Sequence, residues 1–93
     1  IQDEKIISQV FSHLNISQER LLGEMAFLLA SQQASECLME IEYFGKKYGR
    51  SFQDFDKMFQ TQKASYETEN DWMDWKFATE SYEYWKSLLE QMQ

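Results

Sequence analysis

Proline is absent from this chain, and glycine occurs three times. β-Domains need turn residues at every reversal of a strand, so the shortage of both excludes a strand-rich fold. The single cysteine, Cys37, cannot form an internal disulfide, and nothing points to an oxidising compartment, so a cytoplasmic location is expected. The single histidine, His13, has no glutamate three residues before it, which removes the diiron pattern of helical bundles. Long apolar runs are missing too. The longest, Met25 to Ala30, is far short of the ~20 residues of a membrane span. No Gly-rich phosphate loop, zinc-ligand spacing or nucleophile elbow occurs. Basic residues are in the minority, and the net charge is −7. Such a surface repels nucleic acid and anionic lipid, so neither direct nucleic-acid binding nor membrane association is expected.

What remains is helix-forming and aromatic. Gln, Glu, Lys, Leu, Met and Ala are plentiful and all favour helices, so the fold class is all-α. The 93 residues suit one domain, 1–93. The chain opens on Ile1 rather than Met, so further residues are expected ahead of it. A domain this small buries only about 60–65% of its unfolded surface. Aromatic residues nevertheless make up 16% of the chain, enough to fill a core or to coat an interface.

Four helices are predicted, at about 4–14, 17–48, 51–60 and 66–92. The first repeats Ile6, Ile7, Val10, Phe11 and Leu14 at helical spacing, with Asp3 suited to its start and Asn15 to its end. Ser17 opens the second, flanked by Ile16 and Leu21 at hydrophobic-staple positions. Lys46 and Lys47 suit the dipole of its last turn, and Gly49 the residue just past it. Gly23 and Gly45 inside it either cost about 1 kcal/mol each or mark close helix contacts. Ser51 opens the short third helix, with Phe52, Phe55, Met58 and Phe59 on one stripe. The last helix is expected to begin between Ser65 and Thr68, and Thr68 with Asp71 has capping-box spacing. Along it Trp75, Tyr82, Trp85, Leu89 and Met92 recur at near-heptad spacing, as in a coiled coil. Met73, Phe77, Tyr84 and Leu88 make a second stripe beside the first, so this helix should touch at least two others. The expected architecture is a long helical hairpin, 17–48 against 66–92, with a short corner helix. The first helix packs on the open end or on a partner. Dimerisation would complete a helical bundle, so a homodimer is expected.

Few residues offer chemistry. His13 lies near a helix end, where a dipole role suffices. No basic neighbour in sequence depresses the pKa of Cys37, which reads as a packing thiol. Glu36 and Glu40 on one helix, and Glu67 and Asp71 on another, have the four-residue spacing with which facing carboxylates hold Mg²⁺. This loosely resembles the all-helical nucleotide pyrophosphatases, and implies a Mg²⁺-dependent pyrophosphohydrolase as an alternative. The doublet-rich acidic signature of that family is missing, and its Lys and Asn positions find no match. No cofactor is otherwise expected. Lys46, Lys47 and Arg50 are the one basic concentration, best explained by the helix dipole. The cluster Glu67, Glu69, Asp71 and Asp74 with Trp72 is a candidate partner-binding patch, because aromatic anchors ringed by charge are typical of binding hot spots.

The segment Tyr43-Phe44-Gly45-Lys46-Lys47-Tyr48-Gly49-Arg50-Ser51-Phe52-Gln53-Asp54-Phe55 and the later run Tyr66 to Trp75 are distinctive. Together they resemble a group of short prokaryotic helical proteins with a KYG-x-SF-x-x-F stretch and a later acid-x-x-x-W stretch, regarded as antitoxin-like partners of small nuclease-type toxins. The resemblance covers roughly residues 35–90. It implies a non-enzymatic protein that binds and neutralises a basic toxin, with Tyr48 and Gly49 at the helix end and Phe52 and Phe55 in the corner. Charge complementarity would speed such a capture. The leading expectation is therefore a helical protein–protein interaction module. A purely structural oligomerisation domain is the blander alternative.

Overall fold

The structure is a computed structural model and describes residues 2–93. Four helices, α1 (Gln2–His13), α2 (Gln18–Tyr48), α3 (Phe52–Thr61) and α4 (Tyr66–Met92), account for nearly all of it. No strand occurs among the described residues.

Local chemistry sets the helix ends. Asn15 takes a left-handed φ of 59° after α1. Its N–H donates to the Ser12 carbonyl at 3.1 Å and that of Ile16 to the Phe11 carbonyl at 2.8 Å, the paired bonds of a Schellman stop. Ser17, Ser51 and Ser65 each cap a helix start, accepting at 3.2 Å from the N–H of Arg20, Asp54 and Thr68 respectively. Ser65 thus takes the capping role at α4, and Thr68 sits inside the helix as its hydrogen-bonded partner. Gly49 ends α2 at φ 63°, with its N–H on the Gly45 carbonyl at 2.8 Å. A Cβ at Gly23 would meet nothing within 4 Å, and one at Gly45 only the Arg50 carbonyl at 4.0 Å, so neither glycine marks a close helix contact.

The two long helices lie antiparallel along a heptad seam. On α2 the inward positions are Ala30, Ala34, Cys37, Ile41, Phe44 and Tyr48. On α4 they are Asp71, Trp75, Ala78, Tyr82, Trp85 and Leu89. All of these are buried or half-buried, and their spacing alternates between three and four residues. At one end Tyr48 meets Asp71 and Phe44 stacks on Trp75 at 5.7 Å. At the other, Phe27 and Met92 border the same cleft. Helix α3 folds across the first end and closes the corner.

The core is lopsided. Its large buried side chains, Phe44, Phe55 and Trp75, all lie at the corner, with Ile41, Tyr48, Phe52, Met58 and Trp72 packed against them. Toward the open end, only Ala30, Ala34 and Ala78 are buried among the described residues. There α1 runs back along the start of α2. Gln18 Nε2 donates to Ser8 Oγ at 3.2 Å, and Ile7 and Phe11 face Leu21, Leu22 and Met25 across a cleft of ≈ 500 Å³. The molecule is accordingly long, 63 × 28 × 18 Å.

Candidate functional site

The corner gathers most of the residues that stand out in the sequence. Two consecutive residues of the last turn of α2 reach α4. Lys47 Nζ donates to Asp71 Oδ2 at 2.6 Å and to Glu67 Oε1 at 3.0 Å. Tyr48 Oη donates to the same Asp71 oxygen at 2.5 Å. Gly49 and Ser51 then turn the chain so that Phe52 and Phe55 fall onto Trp75, with ring centroids 5.5 and 5.1 Å away. Tyr48 lies 4.3 Å from Phe55. The KYG-x-SF-x-x-F stretch is thus a continuous fold device: an ion pair, a phenol clamp, a left-handed stop, a cap and two rings.

Trp72 is tied down separately. Its ring stacks on Phe59 at 4.5 Å with planes 6° apart, its Nε1–H donates to Asp56 Oδ1 at 2.7 Å, and Lys76 Nζ sits 5.1 Å from its ring centroid. Trp75, by contrast, is buried with its Nε1 unpartnered, enclosed by the rings of Phe44, Tyr48, Phe52 and Phe55.

These contacts set the protonation chemistry. Burial pushes the Asp71 carboxyl up, but the hydrogen bonds from Lys47 and Tyr48 outweigh it and hold the group below the usual carboxylate range. The same bonds, to Asp71 and then Glu67, raise Lys47. Burial first, and the bond to Asp71 second, raise the Tyr48 phenol. The Trp72 bond, with help from Gln60, keeps Asp56 low. Around the half-buried Cys37, desolvation acts first and Glu40 and Glu36 add to it, so its thiol is raised and resists forming the nucleophilic thiolate.

The candidate patch therefore divides. Asp71 is only 14% exposed and is committed to Lys47 and Tyr48. Trp72 is half-buried and holds α3. Glu67 keeps 76% of its side chain in solvent even while paired. Glu69 and Asp74 are exposed. Charge at the corner is balanced: Asp54, Asp56, Glu67, Glu69, Asp71 and Asp74 are matched one for one by Lys46, Lys47, Arg50, Lys57, Lys63 and Lys76. The surplus of acid lies elsewhere, notably on Glu36, Glu40 and Glu42 of α2 and Glu80 and Glu83 of α4.

Glu36, Glu40, Glu67 and Asp71 are not brought together. Asp71 is level with Tyr48, and Glu40 lies eight residues back along α2, about 12 Å by helix rise. No group of three or more His, Cys, Asp or Glu able to hold a metal ion occurs among the described residues. The heptad register sets the two acid pairs at different levels of the hairpin, so the four carboxylates do not converge on one point.

No protein-family model, curated protein or solved structure matches the chain.

Two features had no clear sequence signal. The pairing of Lys47 with acids 20 and 24 residues away depends on the hairpin register. The second is that the fold leaves the second stripe of α4, and much of α2, without the neighbour that their periodicity leads one to expect. Met73, Phe77 and Tyr84 on α4, and Leu22, Leu28, Leu29 and Met39 on α2, are all more than half exposed. No helix among the described residues is long and apolar enough to cross a membrane, so this surface does not read as a bilayer-spanning segment.

Proposed function

We infer that this chain is a non-enzymatic helical interaction module of the cytoplasm that binds and neutralises a basic protein partner, as antitoxin-like proteins do. One observation carries the interaction reading: a tightly built aromatic corner holds two long helices whose outer faces still show large apolar side chains. Monomeric soluble proteins rarely leave large apolar patches open, and large apolar side chains standing open along both long helices are typical of a contact site. The net charge of −7 supports the basic partner, since complementary fields speed encounter and disfavour like-charged competitors. The resemblance over residues 35–90 points the same way.

Within the acidic aromatic patch, the groups free to meet a partner are Glu69 and Asp74, together with the outer oxygen of Glu67. Asp71 and Trp72 act behind them by keeping α4 fixed on α2 and α3. The test is capture of partners from native extract by the tagged chain, with mass spectrometry of what is retained. Wild type should enrich a basic protein, and Glu69→Lys with Asp74→Lys should lose it while helicity by circular dichroism stays the same. Equal recovery of every captured protein by the reversed variant would refute the patch.

A further inference from the structure

The open end of the hairpin has a different character from the corner, and three observations bear on what covers it. The first is area. A compact monomer of 11.2 kDa exposes about 5,700 Å² by the usual mass scaling. This chain exposes 7547 Å², an excess of roughly 1,800 Å². Standard interfaces remove about 800 Å² from each partner, and obligate homodimers about 1,000–2,500 Å². An interface of either size fits within that excess.

The second observation is where apolar side chains are open. Leu22, Leu28 and Leu29 in the first half of α2 are 60–66% exposed, with Met25 among them at 50%. Ile7 and Val10 of α1, which runs alongside, are each 48% exposed. A helix that is apolar on both sides needs a neighbour on both sides.

The third is charge. From Ile6 to Gln18 and again from Met25 to Ser35 there is no Asp, Glu, Lys or Arg. Between these stretches lie Glu19, Arg20 and Glu24, of which Arg20 and Glu24 pair at 3.3 Å, so the segment carries a single net negative charge. Two chains of net charge −7 repel each other most along the acid-rich middle of the hairpin, and the uncharged stretches at this end let two copies meet without setting like charges against each other. A basic partner drawn by charge is steered to the acidic flanks instead.

We propose that the open end is a homodimer interface. Two copies pair about a two-fold axis through the apolar faces of α1 and the first half of α2, and the corners point outward at opposite poles. A two-fold contact needs a self-complementary patch, and a neutral apolar one is self-complementary without any pairing of charges. The proposal does not depend on what the corner or the acidic flanks bind.

The experiment is light scattering coupled to size exclusion on the purified chain at about 50 μM. Wild type should run at twice 11.2 kDa. Leu28→Glu with Leu29→Glu should halve that mass at unchanged helicity, because both side chains are exposed in the single chain. Phe77→Glu, equally exposed but in the corner half, should leave the dimer intact. A second reading avoids any loss of folding. In a Cys37→Ser background, Gln32→Cys on the neutral strip should give a covalent dimer with a short bismaleimide, and Gln53→Cys at the corner should not. A monomeric wild type, a dimer that survives the double glutamate change, or preferential cross-linking at position 53 would overturn the interface. No second protein enters these measurements. A monomer would leave the basic-partner reading standing, and failed capture of a partner would leave the dimer standing.

Discussion

Phe55 and Phe77 are both phenylalanines on helices, yet the structure assigns them opposite roles, and truncating each to alanine separates the two. Phe55 is 0% exposed and lies between Tyr48 and Trp75, with ring centroids at 4.3 and 5.1 Å. Removing its ring loses the transfer free energy and leaves a cavity that the two flanking rings cannot readily fill. The expected cost is about 3–5 kcal/mol. At ~0.05–0.15 kcal/mol per residue, a chain of this length has about 5–14 kcal/mol in total. The change therefore removes roughly a fifth or more of the stability and lowers Tm by roughly 12–40 °C. Phe77 is 73% exposed, and Phe77→Ala should stay within about 0.5 kcal/mol of wild type. The measurement is urea unfolding followed by far-UV circular dichroism, at one fixed chain concentration because association makes the midpoint concentration-dependent. Equal losses for the two variants, or a larger one for Phe77→Ala, would show that the corner is not the core.

Two further predictions concern the same fold. Gly49→Ala forces a Cβ into a left-handed φ of 63° and should cost about 1–2 kcal/mol. Gly23→Ala, where a Cβ meets nothing within 4 Å in mid-helix, should gain about 1 kcal/mol, and urea midpoints moving in the same direction for both would contradict the backbone argument. Asp71 is held below its ordinary pKa in the folded chain, so its contribution is fully present above the unfolded value of about 3.9 and is lost as pH falls through the lower folded value. Asp71→Asn should therefore lower stability at neutral pH and flatten its decline below about pH 4, and an unchanged acid limb in that variant would show that the Lys47–Tyr48–Asp71 contact does not contribute.

The elements were legible where the deciding chemistry is local. Ser17, Ser51, Asn15 and Gly49 sit within four residues of the groups they satisfy, and each ends or begins a helix where its side chain or backbone freedom indicates. The heptad recurrence of Trp75, Tyr82, Trp85 and Leu89 likewise marks the α2-facing side of α4, because periodicity needs no knowledge of the partner. The start of α4 was ambiguous between Ser65 and Thr68 because both are good caps. The earlier serine prevails, and it adds a turn that carries Glu67 to Lys47. Tertiary choices were not legible. Nothing local says that Asp71 rather than Asp74 will accept from Lys47 and Tyr48, since one step of the helix decides which carboxylate faces α2. Trp72 illustrates the same limit. Beside four acids it reads as a docking anchor, but its stacking on Phe59 and its bond to Asp56 come from a helix sixteen residues earlier.

The second stripe of α4 shows why the division between corner and open end matters. Met73 and Phe77 flank the corner but are not covered by α3, which crosses over Trp72 and Trp75 instead. One short helix of ten residues can cover one side of α4 and no more. At the far end no helix plays even that part, because α1 lies against α2. The seam there is lined on the α2 side by Ala30 and Ala34, which let the helices approach closely but bury little apolar area. Stability is thus concentrated where the aromatic rings are, and the part of the chain with the weakest internal packing is also the part with the fewest charges and the most exposed leucine. Strengthening that end from within would need larger residues at 30 and 34, which would push α2 and α4 apart. Covering it from outside needs only a neutral apolar neighbour.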